Sequence, residues 1–170
     1  MKLAVTGHRP PKLFTKAEGP YTDQSRKKLE RFATMALRHY MPDCVLTGMA
    51  LGWDQAVAQA CVDLQIPFVA ACPCRDQQRL WWPASQAHYI ALLEFADEVV
   101  YVKDGPYDAA CLQLRNEWLV DRCDEVLALY DGSGGGTANC VAYAQQQGKS
   151  VHNVWKKWQD YHIGQRRLPL

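Results

Sequence analysis

EVLALYDGSGGGTANCVAYAQQQ, residues 125–147, reads as a strand, a loop and a helix in succession. Residues 125–130 form a short apolar run of the kind that makes a buried parallel strand. Asp131, Gly132, Ser133, Gly134, Gly135, Gly136 and Thr137 supply the loop, and residues 138–147 suit a helix. Three consecutive glycines leave the backbone open to close approach by an anion such as phosphate. Thr137 is expected to open a helix whose unpaired N–H groups and dipole favour negative charge. The hydroxyls of Ser133 and Thr137 would add hydrogen bonds. A flexible turn that merely joins strand to helix is the competing reading. The spacing is neither G-x-x-x-x-G-K-[ST] nor G-x-G-x-x-G, so an ordinary P-loop or dinucleotide fingerprint is not supported.

The same alternation extends outward in both directions. Short apolar runs at residues 3–5, 44–46, 67–71, 98–102 and 150–154 read as further strands. Residues 23–40, 55–64, 85–95 and 112–122 between them suit helices. Alternation at this spacing predicts right-handed βαβ crossovers and a Rossmann-like, doubly wound, mainly parallel sheet with helices on both faces. A length of 170 residues fits one domain, with a core over 2–154. Lys156, Lys157, Arg166 and Arg167 mark residues 155–170 as a basic, solvated C-terminal tail.

Composition narrows the function classes. The formal net charge is +1, which disfavours a large nucleic-acid footprint. Seven cysteines, an odd number with no signal peptide ahead of them, point to a reducing compartment and a cytoplasmic protein. No apolar run approaches the ~20 residues that span a bilayer, so no membrane partner is expected. Cys72 and Cys74 lack a second pair at zinc-ligand spacing, so neither a metal nor a cofactor is expected. Cys140, just after the glycine loop, reads as a buried structural thiol rather than a reactive one.

Four loops that follow four different strands carry the polar chemistry, and in open α/β sheets ligands sit at the carboxyl ends of strands. The first is Thr6-Gly7-His8-Arg9-Pro10, within an irregular stretch over 7–22. The second runs from Thr47-Gly48 to Gly52-Trp53-Asp54. The third spans 72–84 and includes Trp81 and Trp82, and the fourth is the glycine loop. Arg9 and Arg115 are candidates for a bidentate phosphate clamp. Asp54 reads either as a helix cap or as an acceptor for ribose hydroxyls. Trp82 is a candidate to stack on a base or cover it. His8 is expected to shape its loop by hydrogen bonding.

Through these pieces the chain resembles the SLOG superfamily, which joins the Smf/DprA proteins to the LOG phosphoribohydrolases. It is most similar to the YpsA/YoqJ-like branch found in bacteria and their phages. The resemblance rests on residues 6–10, 47–54, Gln78, Trp82, Arg115-Asn116, Val120-Asp121 and 131–139, and spans about residues 2 to 154. It implies binding of a nucleotide or nucleotide-derived ligand, as a sensor or sequestering module. The implied site comprises Gly7, His8, Arg9, Gly48, Gly52, Asp54, Trp82, Arg115, Asp131, Ser133, Gly134, Gly135, Gly136, Thr137 and Asn139. LOG enzymes cleave the N-glycosidic bond of nucleoside monophosphates with an arginine and a glutamate that follows Gly-Thr. Here Ala138, Asn139, Cys140 and Val141 follow Gly136-Thr137, so that carboxylate is missing, whereas Arg115 matches the arginine. A nucleotide N-glycosidase, with Arg115 and Asp54 as candidate catalytic residues and Asp54 or Asp131 replacing the missing glutamate, therefore stands as the alternative. A DprA-like single-stranded nucleic-acid binder stands second. The related LOG enzymes also make a homodimer an expectation.

Overall fold

The computed structural model describes residues 1–18 and 20–166. Six strands form one all-parallel sheet: β1 (Lys2–Gly7), β2 (Cys44–Thr47), β3 (Phe68–Cys72), β4 (Glu98–Tyr101), β5 (Glu125–Leu129) and β6 (Ser150–Asn153). Their spatial order is β4-β3-β2-β1-β5-β6. The chain thus winds outward from β1 through β4, then returns to the other side of β1 as β5. That reversal places a crevice at the carboxyl ends of β1 and β5, where this class of sheet holds its ligands.

Two-residue periodicity divides the core. On one face Leu3, Val5, Leu127 and Leu129 pack against α2 (Asp23–Tyr40), α3 (Trp53–Leu64) and α4 (Pro83–Glu94). On the other, Ala4, Leu46, Ala71 and Val126 pack against α5 (Ala109–Arg122) and α6 (Gly136–Gln146). The long α2 shows why the sequence folds locally as it does. Thr22 caps its N-terminus by accepting from the Ser25 N–H at 3.3 Å, and Met41 ends it in a left-handed conformation. Its buried Leu29, Phe32, Ala33, Ala36 and Leu37 follow helical spacing.

Two expectations about irregular segments need correction. The stretch over 7–22 contains a short helix, α1 (Pro10–Leu13), with proline at its start, followed by a 3-10 turn at Lys16–Glu18. Nor is the C-terminus a solvated tail from residue 155. Trp155–Arg166 form α7, and Trp158 is fully buried, 5.3 Å from the Phe32 ring and 5.8 Å from Phe14. Trp155, Trp158, Tyr161 and His162 share one side of this helix, and packing that side outweighs the charge of exposed Lys156 and Lys157. The Arg166 side chain and Arg167 lie outside the described residues. No helix among the described residues is long and apolar enough to cross a membrane.

Candidate functional site

A cleft of about 500 Å³ opens at the carboxyl ends of β1 and β5. Gly7, His8, Arg9, Asp54, Arg115, Gly134, Gly135, Gly136 and Thr137 all line it, from four separate parts of the chain. The glycine loop forms one wall. Gly135 is the N-cap of α6, which begins at Gly136, one residue before the expected opening at Thr137. Its φ of 132° is a backbone conformation that favours glycine. No side chain caps α6, so its first-turn N–H groups remain available to an anion. A Cβ built at Gly134, Gly135 or Gly136 would meet no atom within 4 Å, which leaves this wall open.

Polar contacts hold the loop in place. His8 Nε2 lies 2.6 Å from Asp131 Oδ1, and the Asp131 N–H donates to the same nitrogen at 3.0 Å. The Ser133 N–H and hydroxyl donate to Asp131 Oδ1 at 2.8 and 2.5 Å. Partial burial works against ionisation of Asp131, but the Ser133 groups and His8 outweigh it and hold the carboxyl at about 2. Asp131 and Ser133 therefore build the loop and do not line the cleft, while His8 performs the expected shaping role.

Another part of the lining is electrostatic. Arg115 on α5 donates from Nη1 to Asp54 Oδ2 at 3.3 Å, and both side chains are buried. Asp54 Oδ2 also accepts from the Ala50 N–H at 3.3 Å. Asp54 sits inside the first turn of α3 and does not cap it; Gly52 holds that position, with φ of 106°. Burial pushes Asp54 up to about 6, with the Arg115 charge opposing the rise. Asp54 Oδ1 and Arg115 Nε are buried without a hydrogen-bond partner. Gly48 lies beneath this pair: a Cβ there would fall 1.4 Å from Arg115 Nη1. Gly7 is also packed closely, against Trp53, where a Cβ would come within 2.5 Å of the ring.

Three residues join the cleft that sequence reasoning did not select. Lys12 on α1 donates to Ser133 Oγ at 2.5 Å and to the Gly134 carbonyl at 3.1 Å, bringing an exposed ammonium beside the glycines. Tyr107 accepts from Arg9 Nη2 at 3.3 Å across the mouth. Asn116 donates to the Gly136 carbonyl at 3.1 Å and so fixes the start of α6 from α5. Only Asn116 had a sequence signal, its place beside Arg115.

Other expected residues lie elsewhere. Trp82 lines a neighbouring cleft, not this one. Asn139 is exposed on the first turn of α6, away from the lining. Cys140 is buried, which pushes its thiol up to about 11 and fits a structural role. Among the described residues no cluster of three or more histidine, cysteine or carboxylate side chains is placed to hold a metal.

Known proteins resemble this chain in sequence or in fold. The SPbeta prophage-derived protein YoqJ of Bacillus subtilis is 32% identical over a match that covers 69% of this chain and 78% of YoqJ. DNA processing protein A of Helicobacter pylori, which binds single-stranded DNA, superposes with a TM-score of 0.59 at 18% identity. That match covers 89% of this chain but only 63% of the larger protein. The molybdenum cofactor binding protein of Rippkaea orientalis superposes with a TM-score of 0.54 at 16% identity, covering 98% and 86% of the two chains. At such identities the two structural matches establish the shared doubly wound fold. A family model spans residues 3–158, from the first strand to the last helix, and on that match the chain belongs to the YspA SLOG family.

Proposed function

We propose that the chain binds a nucleotide or nucleotide-derived, phosphate-bearing ligand in the cleft between β1 and β5, as a sensor or sequestering module. One observation carries this reading. The uncapped start of α6, with open space where side chains on its glycines would project, faces the same cleft as Arg9 and Arg115, with Lys12 at its edge. Backbone N–H groups, a helix dipole and nearby cations together suit a phosphate. Asp54 borders the same cleft, and its Oδ1, buried without a partner, is the acceptor proposed for a ribose hydroxyl. Two proteins that share the fold bind single-stranded DNA and the molybdenum cofactor, which supports a ligand-binding role without naming the ligand.

Calorimetry with nucleoside mono- and diphosphates tests the reading. Valine at Gly135 would project into the cleft and also strain a backbone at φ 132°. Gly134→Val projects there without that strain. Each should weaken binding at least tenfold, or ~1.4 kcal/mol, in folded protein. Unchanged affinity in both would remove phosphate from the loop.

A second reading has its own observation. A buried carboxyl at about 6, facing a cleft beside an arginine, is what general acid–base chemistry on an N-glycosidic bond requires. Asp54 would then serve in place of the missing glutamate.

A further inference from the structure

Arg9 and Pro11 border a second cleft of about 410 Å³, between the loop after β1, the start of α2 and the start of α4. Its character differs from the first. Pro10, Pro20, Leu51 and the rings of Tyr21, Trp81 and Trp82 dominate its walls. Trp82 is 82% exposed, and its backbone is held at the N-cap of α4 by Pro83 at the first helical position. A large indole so displayed forgoes the burial that aromatic side chains normally gain. Trp81, its neighbour, packs edge-on against Tyr89 with ring centroids 5.5 Å apart, so only one of the two is spent on the fold.

The polar groups of this cleft suit a neutral ring better than a second phosphate. Arg26 is committed to Glu30 at 2.6 Å and to Asp23 at 3.3 Å. Gln55 is buried, with its amide donating to the Met49 carbonyl at 3.2 Å. His88 Nε2 is buried and makes no hydrogen bond, its nearest carboxylate oxygen, Glu30 Oε1, standing 3.7 Å away, and burial, with Arg26 nearby, lowers its pKa and favours the neutral imidazole. Mostly apolar walls with a few fixed polar groups are the usual make-up of a pocket for a flat heterocycle.

We infer that this cleft receives the planar heterocyclic ring of the same ligand whose phosphate rests against α6, with the ring stacked on Trp82 and Arg9 lying between the two halves. The inference rests on the phosphate reading above and narrows the ligand to an extended nucleoside phosphate spanning both clefts. Free phosphorylated sugar would fill only the first.

The test titrates two sets of probes by calorimetry: AMP, GMP, CMP and UMP, and the ring-free ribose 5-phosphate and pyrophosphate. Trp82→Ala removes an exposed side chain and should preserve the fold. It should weaken the best-bound nucleotide at least fivefold, as expected for loss of base–aromatic stacking, and leave ribose 5-phosphate and pyrophosphate unchanged. Gly134→Val should weaken both sets. If Trp82→Ala spares the nucleotides while Gly134→Val weakens them, the ring site is refuted and the phosphate site stands. If Trp82→Ala weakens ring-bearing and ring-free probes equally, its role is structural and the ring site is likewise refuted. Binding that Gly134→Val leaves intact, or no binding by any probe, overturns both.

Discussion

Gly48→Ala should damage the site through Arg115, although residue 48 offers no side chain of its own. The new Cβ would fall 1.4 Å from Nη1, 2.4 Å from Cζ and 2.8 Å from Cδ of Arg115. Rotating the guanidinium alone does not clear the Cδ contact, so the whole arm must leave Asp54. Asp54 would then be a buried carboxylate without its counter-charge, and breaking such a pair costs about 3–5 kcal/mol. The pH dependence follows from the direction of the Asp54 shift. Its folded value of about 6 lies above the ordinary 3.8, so folding favours the protonated carboxyl. The stability that this gives is full below about pH 3.8 and is lost as pH rises through 6. Displacing Arg115 removes the charge that restrains the shift, so the penalty should be largest where Asp54 must ionise. Urea unfolding should show a loss of several kcal/mol at pH 8 and a much smaller one at pH 5. Adding Asp54→Asn should abolish that pH dependence. Equal loss at both pH values, or no loss at all, would refute the reasoning.

Two further outcomes concern the reaction and the partner. Incubation with nucleoside monophosphates should release little free base, because the glutamate of the LOG motif is absent. Multiple turnovers seen by chromatography and abolished by Asp54→Asn in folded protein would instead favour the glycosidase reading. Nucleotide affinity should fall only shallowly with salt, since a cleft holding one or two phosphates releases few counterions. Tight binding of long single-stranded DNA with a slope of several units would favour a nucleic-acid surface.

The strands were legible because buried parallel strands are short apolar runs, and all six lie within a residue or two of where the sequence puts them. The last helix was not, because Trp155, Trp158 and Tyr161 are interleaved with lysines whose charge suggested solvent. Site residues divided along the same physical line. The glycine loop declares itself through local backbone chemistry. Asp54 and Arg115 were each visible as candidates, but their pairing across 61 positions depends on tertiary packing over Gly48. Lys12 and Tyr107 acquire their roles only when α1 and the loop before α5 meet the cleft. Ser133 had an apparent ligand-facing hydroxyl, which the fold spends on Asp131 and Lys12. Trp82 was read into the same site as the glycines, and the fold sets it across Arg9 in the second cleft.

The most direct measurement is mass spectrometry of the small molecules released from purified protein, compared with the same preparation of Gly134→Val. A phosphate-bearing nucleotide or nucleotide derivative should be retained at up to one per chain and depleted in the variant, while both proteins unfold cooperatively. Retention of only non-phosphorylated compounds, or of the same phosphorylated compound in equal amount by the variant, would contradict phosphate binding at the start of α6.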